Sequence, residues 1–212
     1  MGGADRHFAG RKRRLVAITA IAATLIVVNG ASSAQHATPS PVSCRVQPRE
    51  PGFFLTLTRA ATPIASPTPG SVIEIFASSP ARPEQVDLTG IAETIYQLVV
   101  CFNTGDFGRT AALFTDAYWQ REVASIPGRA QSLARMASAT PVPVGAGQQQ
   151  QPAMVIDARL FPDGRIGALV DFGSAGRDDS GVDLVVFAKV HGRWLIDDVV
   201  TDVADELGTP SP

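Results

Sequence analysis

The stretch from Leu88 to Trp119 constrains the fold more than any other part of this chain. A strongly apolar helical pattern runs to Phe102, stops at Asn103-Thr104-Gly105-Asp106, and restarts as Phe107-Gly108-Arg109-Thr110-Ala111-Ala112-Leu113-Phe114. Ile91, Ile95, Leu98, Val99 and Phe102 recur at helical spacing and define one buried stripe. Val100 and Cys101 widen the apolar arc, so this helix must be enclosed by other structure rather than lie on a surface. Asp87 is the expected N-cap, Gly105 the natural residue just past the C-terminus, and Asp106 the cap of the next helix. Ala111, Leu113 and Phe114 continue the core, and Ala117-Tyr118-Trp119 adds aromatic bulk. The segment Ala130 to Met136 reads as a third short helix.

After the run Gln148-Gln149-Gln150-Gln151 the apolar period changes from helical to two. Met154, Ile156, Ala158 and Leu160 alternate along a first strand, and Pro162-Asp163-Gly164 supplies a turn. Ile166, Ala168, Val170 and Phe172 form one face of a second strand, which a polar loop at 176–181 joins to a third, Asp183 to Val190. His191-Gly192 is a tight turn into a fourth strand, Arg193 to Val200, which offers Trp194, Ile196 and Val200 to one side. The opposite sheet face is expected to carry Leu169, Val185, Phe187, Leu195 and Val199. An antiparallel sheet that is apolar on both faces needs cover on both, by the helices and, in one reading, by a second copy of the chain.

The N-terminus reads as an export signal, residues 1–34. Arg11-Lys12-Arg13-Arg14 precedes an apolar run from Leu15 to Val28, and small residues at Gly30-Ala31-Ser32-Ser33-Ala34 suit a signal peptidase. The run is shorter than the roughly 20 residues of a membrane-spanning helix. The alternative is an uncleaved anchor in which residues 15–28 tether the protein to the membrane. Without residues 1–34, thirteen Lys and Arg face nineteen Asp and Glu, a net charge of −6. That balance excludes a nucleic-acid binder, which needs a cationic footprint, and disfavours anionic membrane surfaces. Residues 35–86 form a Pro/Thr/Ser-rich segment with two short apolar pieces. Pro51 to Arg59 is expected to dock on the domain, and Ser71 to Phe76 to be a short strand or another docking segment. Linker composition marks Gln35 to Ser43, Ala61 to Gly70 and Ala139 to Pro152, with too little apolar surface to offset ordering entropy. In an oxidising compartment Cys44 and Cys101 are expected to pair, tying the N-terminal segment to the first long helix; the alternative is two thiols, with Cys101 a small core residue.

The succession Phe102-Asn103-Thr104-Gly105-Asp106-Phe107, then Ala112-Leu113-Phe114-Thr115-Asp116, resembles the first two helices of the nuclear transport factor 2-like (SnoaL-like, ketosteroid isomerase-like) superfamily. The closing Gly192-Arg193-Trp194-Leu195-Ile196-Asp197-Asp198 is similar to that superfamily's last strand. The resemblance implies an α+β, cone-like fold over 87–202, with the N-terminal helices packed in a strongly bent antiparallel sheet, a pocket at the open end, and a tail from 203 to 212. The isomerase's oxyanion-hole tyrosine corresponds to Leu98 here, which donates no hydrogen bond, and its general base falls near Glu122. Without that donor such catalysis lacks the part it most needs.

Other chemistry is thin. Asp171-Phe172-Gly173 has none of a kinase's companion motifs. Asp178-Asp179-Ser180-Gly181-Val182-Asp183 lacks the length and closing Glu of a calcium loop. His7, His36 and His191 are isolated, so neither a metal nor a cofactor is expected. Asp197 and Asp198 would point to opposite faces of a regular strand. Phe102, Phe114, Tyr118, Trp119, Phe172 and Trp194 are the candidate lining of a ligand pocket, and Asp171 is the candidate lone acid within it. The reading at this stage is an exported protein that binds a small apolar ligand or a protein partner without catalysis, as a homodimer through the sheet. The alternatives are a SnoaL-like isomerase, cyclase or hydrolase, and a membrane-tethered extracytoplasmic interaction module.

Overall fold

A computed structural model describes residues 43–57, 69–173, 181–201, 203 and 207, and its elements follow the expected order, helices first and strands afterwards. The export signal, the tether candidate at 15–28 and most of the polar loop at 176–181 lie outside the described residues. Among those described, no helix is long and apolar enough to cross a membrane. The helices are α1 (Pro51–Leu57), α2 (Pro69–Ser78), α3 (Gln85–Asn103), α4 (Phe107–Ala111), α5 (Asp116–Ser125) and α6 (Arg129–Ser138). The strands are β1 (Met154–Leu160), β2 (Ile166–Asp171), β3 (Val182–Val190) and β4 (Arg193–Val200), in an open antiparallel sheet of order β1-β2-β3-β4.

The central element is α3, 19 residues and therefore about 28 Å long. It begins two residues before the expected cap. Asp87 sits in its first turn, where a negative charge suits the helix dipole, and accepts hydrogen bonds from Lys189 Nζ at 2.9 Å and Trp194 Nε1 at 3.2 Å. The helix ends as expected. Gly105 takes φ +69°, its N–H donates to the Phe102 carbonyl at 2.8 Å, and the Asp106 N–H donates to the Cys101 carbonyl at 3.3 Å. These two bonds form a Schellman stop. A side chain at position 105 would run into the Val142 carbonyl. Asp106 then caps α4, accepting from the Arg109 N–H at 3.0 Å.

Burial on α3 extends around the helix. Ile91, Ile95 and Val99 are buried, and Ile91 and Ile95 pack on Ala168, Val170, Val185, Phe187 and Ile196 of the sheet. Val100 and Cys101 are buried instead against Cys44, Val46 and Leu113. The Cys44–Cys101 disulfide forms, with Cα atoms 4.8 Å apart, and fastens the N-terminal segment to the helix. Phe102 departs from the expected stripe at 42% exposure, because it stands at the helix's last turn beside a cleft. Gly90 permits a close approach: a Cβ there would lie 2.7 Å from Trp194 Cδ1. One turn on, the Thr94 hydroxyl donates to the Trp194 carbonyl at 2.7 Å, locking α3 to β4.

The sheet is apolar on both faces, but their membership differs from the expectation. Val185, Phe187 and Val199 face α3, whereas Leu184 and Val186 join Leu169 on the other side. That second face carries α2 of the same chain, through Val72, Ile73 and Phe76. The 71–76 piece is thus a docked helix and not a strand. Val203, assigned above to the tail, is 1% exposed and donates its N–H to the Val182 carbonyl at 2.9 Å. His191 (φ 49°) and Gly192 (φ 79°) make the two-residue hairpin whose twist matches antiparallel strands. The outer edge of β4 is paired: Thr115 donates to Ile196 and Ile196 to Leu113, both at 2.8 Å. The expected docking at 51–59 is helix α1, whose Phe54 is wholly buried among Phe107, Trp119 and Leu133.

Because the disulfide closes a loop of 57 residues, its loss is expected to cost about 4 kcal/mol in the chain-entropy model. Urea unfolding of a Cys44→Ala/Cys101→Ala variant checks this; an unchanged midpoint would show that the loop closure contributes nothing.

Candidate functional site

Where α3 nears its C-terminus, a cleft of about 460 Å³ opens between the helix and the sheet. Leu98, Val99 and Phe102 of α3 form one wall, with Phe114 and Tyr118 beside them. The sheet contributes Phe172, Asp183, Val185, Ile196 and Val199. Thr110, Gln150 and Thr201 complete the lining. A few polar groups set in an apolar concavity is the usual composition of a small-molecule site.

A bulge in β4 shapes this wall. The β3–β4 register slips between Val186 and Phe187, which pair with Asp198 and Ile196, so Asp197 is the extra residue. Strict alternation would send Ile196 and Val199 to opposite faces; the extra residue brings both to the cleft. It also overturns the regular-strand assumption made for the two acids. Asp197 is buried at 8% exposure, accepting from the Thr115 hydroxyl at 2.7 Å and from Arg165 at 3.1 Å, while Arg121 donates to its carbonyl. Asp198 is half-buried; burial raises its carboxyl above the ordinary carboxylate range, and the charge of Asp197 adds to that, against the opposing pull of Arg121.

Tyr118 is the one tyrosine among the described residues that line this cleft. The Thr115 cap accepts its N–H at 3.0 Å, fixing it in the first turn of α5, and the Phe114 ring lies 4.6 Å from its own. Its hydroxyl makes no hydrogen bond to any described residue. Burial, helped by the charges of Glu122 and Asp198, pushes that hydroxyl up to about 12, so it is a neutral donor throughout the physiological range.

Of the residues singled out from sequence, Phe102, Phe114, Tyr118 and Phe172 come together in this cleft. Trp119 does not. Its indole donates to the Ala111 carbonyl at 2.9 Å inside the aromatic cluster around Phe54. Trp194 lies under Gly90 and lines a separate polar groove of about 560 Å³. That groove is larger, but its acids are engaged: Asp87 with Lys189, and Glu93 with Gln97 at 3.0 Å. Asp171 does not line the cleft; alternation with Val170 and Phe172 sends it to the opposite face, where its Oδ1 is buried without a partner among the described residues. Leu98 stands in the cleft wall as plain hydrocarbon, and Glu122 pairs with Arg129 at 3.2 Å. No three His, Cys, Asp or Glu side chains among the described residues gather as a metal site.

Asp183, Thr110, Gln150 and Thr201 were not anticipated. Asp183 was legible in principle, since it shares a face with Val185 and Phe187, but that face was assigned to the wrong side. Gln150 was hidden in what reads as linker. The segment 141–152 is in fact pinned to α3 by one side chain: Asn103 Nδ2 donates to the Gln150 carbonyl at 2.9 Å, and the Gln150 N–H donates to Asn103 Oδ1 at 2.8 Å. Val144 adds a bond to the Asn103 carbonyl at 3.0 Å. Beyond Gln150 lies a second apolar cleft of about 530 Å³, between α3 and the start of β1.

The chain matches no family model, no curated protein and no solved structure.

Two outcomes are expected. Asn103→Ala removes a reciprocal pair of part-buried hydrogen bonds and should destabilise by about 1–2 kcal/mol, with faster hydrogen exchange at Gln150; unaltered exchange there would contradict the pinning. For Asp198, the folded protein takes up the proton at higher pH than the unfolded chain. The stability that follows is fully present below the ordinary value of 3.8 and is lost as pH rises through the folded one. Asp198→Asn should therefore raise the melting temperature at pH 7 and lose that advantage at pH 3. Equal shifts at both pH values would refute it.

Proposed function

We propose that this chain is an exported domain of the nuclear transport factor 2-like type, with a cone-like helix-and-sheet arrangement. Its role is to bind a small apolar ligand, without catalysis, in the cleft beside Tyr118. The observation that carries the reading is Tyr118, whose neutral hydroxyl no described residue claims, standing in the lining with Leu98, Val99, Phe102, Phe114, Phe172 and Val185. A group so placed offers one oriented hydrogen bond to a ligand otherwise held by hydrocarbon and aromatic contact. The disulfide supports an oxidising compartment. Binding is preferred to isomerase chemistry because Leu98 occupies the place of that family's donor and Glu122 is engaged by Arg129.

Titration with the uncharged fluorophore N-phenyl-1-naphthylamine tests the reading. Saturable binding is expected, and Thr201→Trp, which fills the exposed mouth, should weaken it at least about ten-fold. Tyr118→Phe should leave this arylamine probe, which has no strong acceptor, nearly unaffected but weaken a probe that carries a carbonyl acceptor by about three- to ten-fold, the worth of one neutral hydrogen bond. Failure to saturate, or equal binding by the Thr201→Trp variant, would be incompatible with the cleft as the site.

A further inference from the structure

We infer that the two apolar clefts are one trough, and that its ligand is a linear alkyl or acyl chain with an uncharged polar head; this rests on the binding role proposed for the Tyr118 cleft. Val99 and Gln150 line both spaces, so they abut through a single shared wall rather than lying on separate surfaces. The second cleft is lined by Ile95, Tyr96, Val100, Ala153, Met154 and their neighbours, with no charged side chain among the described residues. Among the described residues lining the two, Asp183 alone is charged, and none is a lysine or arginine. A carboxylate or phosphate head would find no basic side chain in the described lining, and the arginines near Tyr118 are engaged elsewhere, Arg129 by Glu122 and Arg121 by the Asp197 carbonyl. An alcohol, ester or amide needs no counter-charge to accept from the Tyr118 hydroxyl. The shape follows from the partition. A compact ligand fills the first cleft and leaves the second empty, while a flexible chain passes Val99 and buries further methylenes beyond it. Tyr96 and Met154, at 49% and 61% exposure, are the apolar surface such a chain would cover.

Displacement of N-phenyl-1-naphthylamine from the full-length protein by n-alkanols of increasing length tests this. Affinity is expected to climb about four-fold per methylene while the chain is extending into the second cleft. Ala153→Trp fills that cleft from the strand side and Ala92→Trp from the exposed helix surface, so that one reports if the other misfolds. Either variant should bind the fluorophore as before yet reach its plateau at a shorter alkanol. The same plateau in wild type and variants, with the fluorophore still bound, would overturn the trough and leave the Tyr118 cleft standing. An n-alkanoate binding as tightly as the alkanol of equal length would overturn the uncharged head. No fluorophore binding at all would remove both readings together.

Discussion

A 19-residue helix that is apolar around more than half its circumference has no stable existence against a single surface, and the arrangement of this molecule answers that constraint. Ile91 and Ile95 take the sheet, and Val100 and Cys101 take the N-terminal segment with Leu113. The two sides are secured by different means. On the sheet side, Gly90 lets the Trp194 indole lie against the helix backbone, and Thr94 and Asp87 fasten β4 by hydrogen bonds. On the other, a covalent bridge fastens the stretch around Cys44, whose described residues Cys44 and Val46 pack against Val100, Cys101 and Leu113.

Ile91 and Ile95 seat the first half of α3 on the sheet, and the cleft opens between the helix's last turns and strands β3 and β4. Its wall depends on one irregularity, the extra residue in β4. By resetting the alternation it brings Ile196 and Val199 to the same side and turns Asp197 away to Thr115 and Arg165. The polar cluster and the apolar wall are therefore two consequences of a single register slip. Arg121 and Thr115 anchor the cluster to the helical layer, so the slip also joins α5 to the sheet that Tyr118 faces.

Most of the secondary structure could be read from the chain because its signals are local. The α3 stop, the Asp106 cap, the hairpin at His191-Gly192 and all four strands rest on backbone chemistry within a few residues. The strand faces could not be read. β3 carries apolar residues on both sides, Val182, Leu184 and Val186 against Val185 and Phe187, so alternation fixes which residues share a face but not which face meets the helices. That ambiguity hid Asp183, and with the bulge it misplaced Val199. The stretch 139–152 was misjudged for another reason. Its order comes from Asn103 and not from apolar burial, and composition does not register a hydrogen bond formed across 47 residues.

The division in the cleft follows the same line. Phe102, Phe114, Tyr118 and Phe172 could be named in advance because they are aromatic residues at the ends of recognisable elements. Trp119 and Trp194 are aromatic too, yet they serve the core and the α3–β4 contact, a distinction made only by what each packs against. From α3 onward the amino-acid sequence alone determined most of the elements, their order and the α3 stop, since helix capping, turn geometry and hydrophobic period act over single turns of chain. Tertiary structure alone decided which apolar face met which, where the bulge turned β4, and that no described residue claimed the Tyr118 hydroxyl. Those outcomes depend on contacts between residues tens of positions apart, which no local pattern encodes.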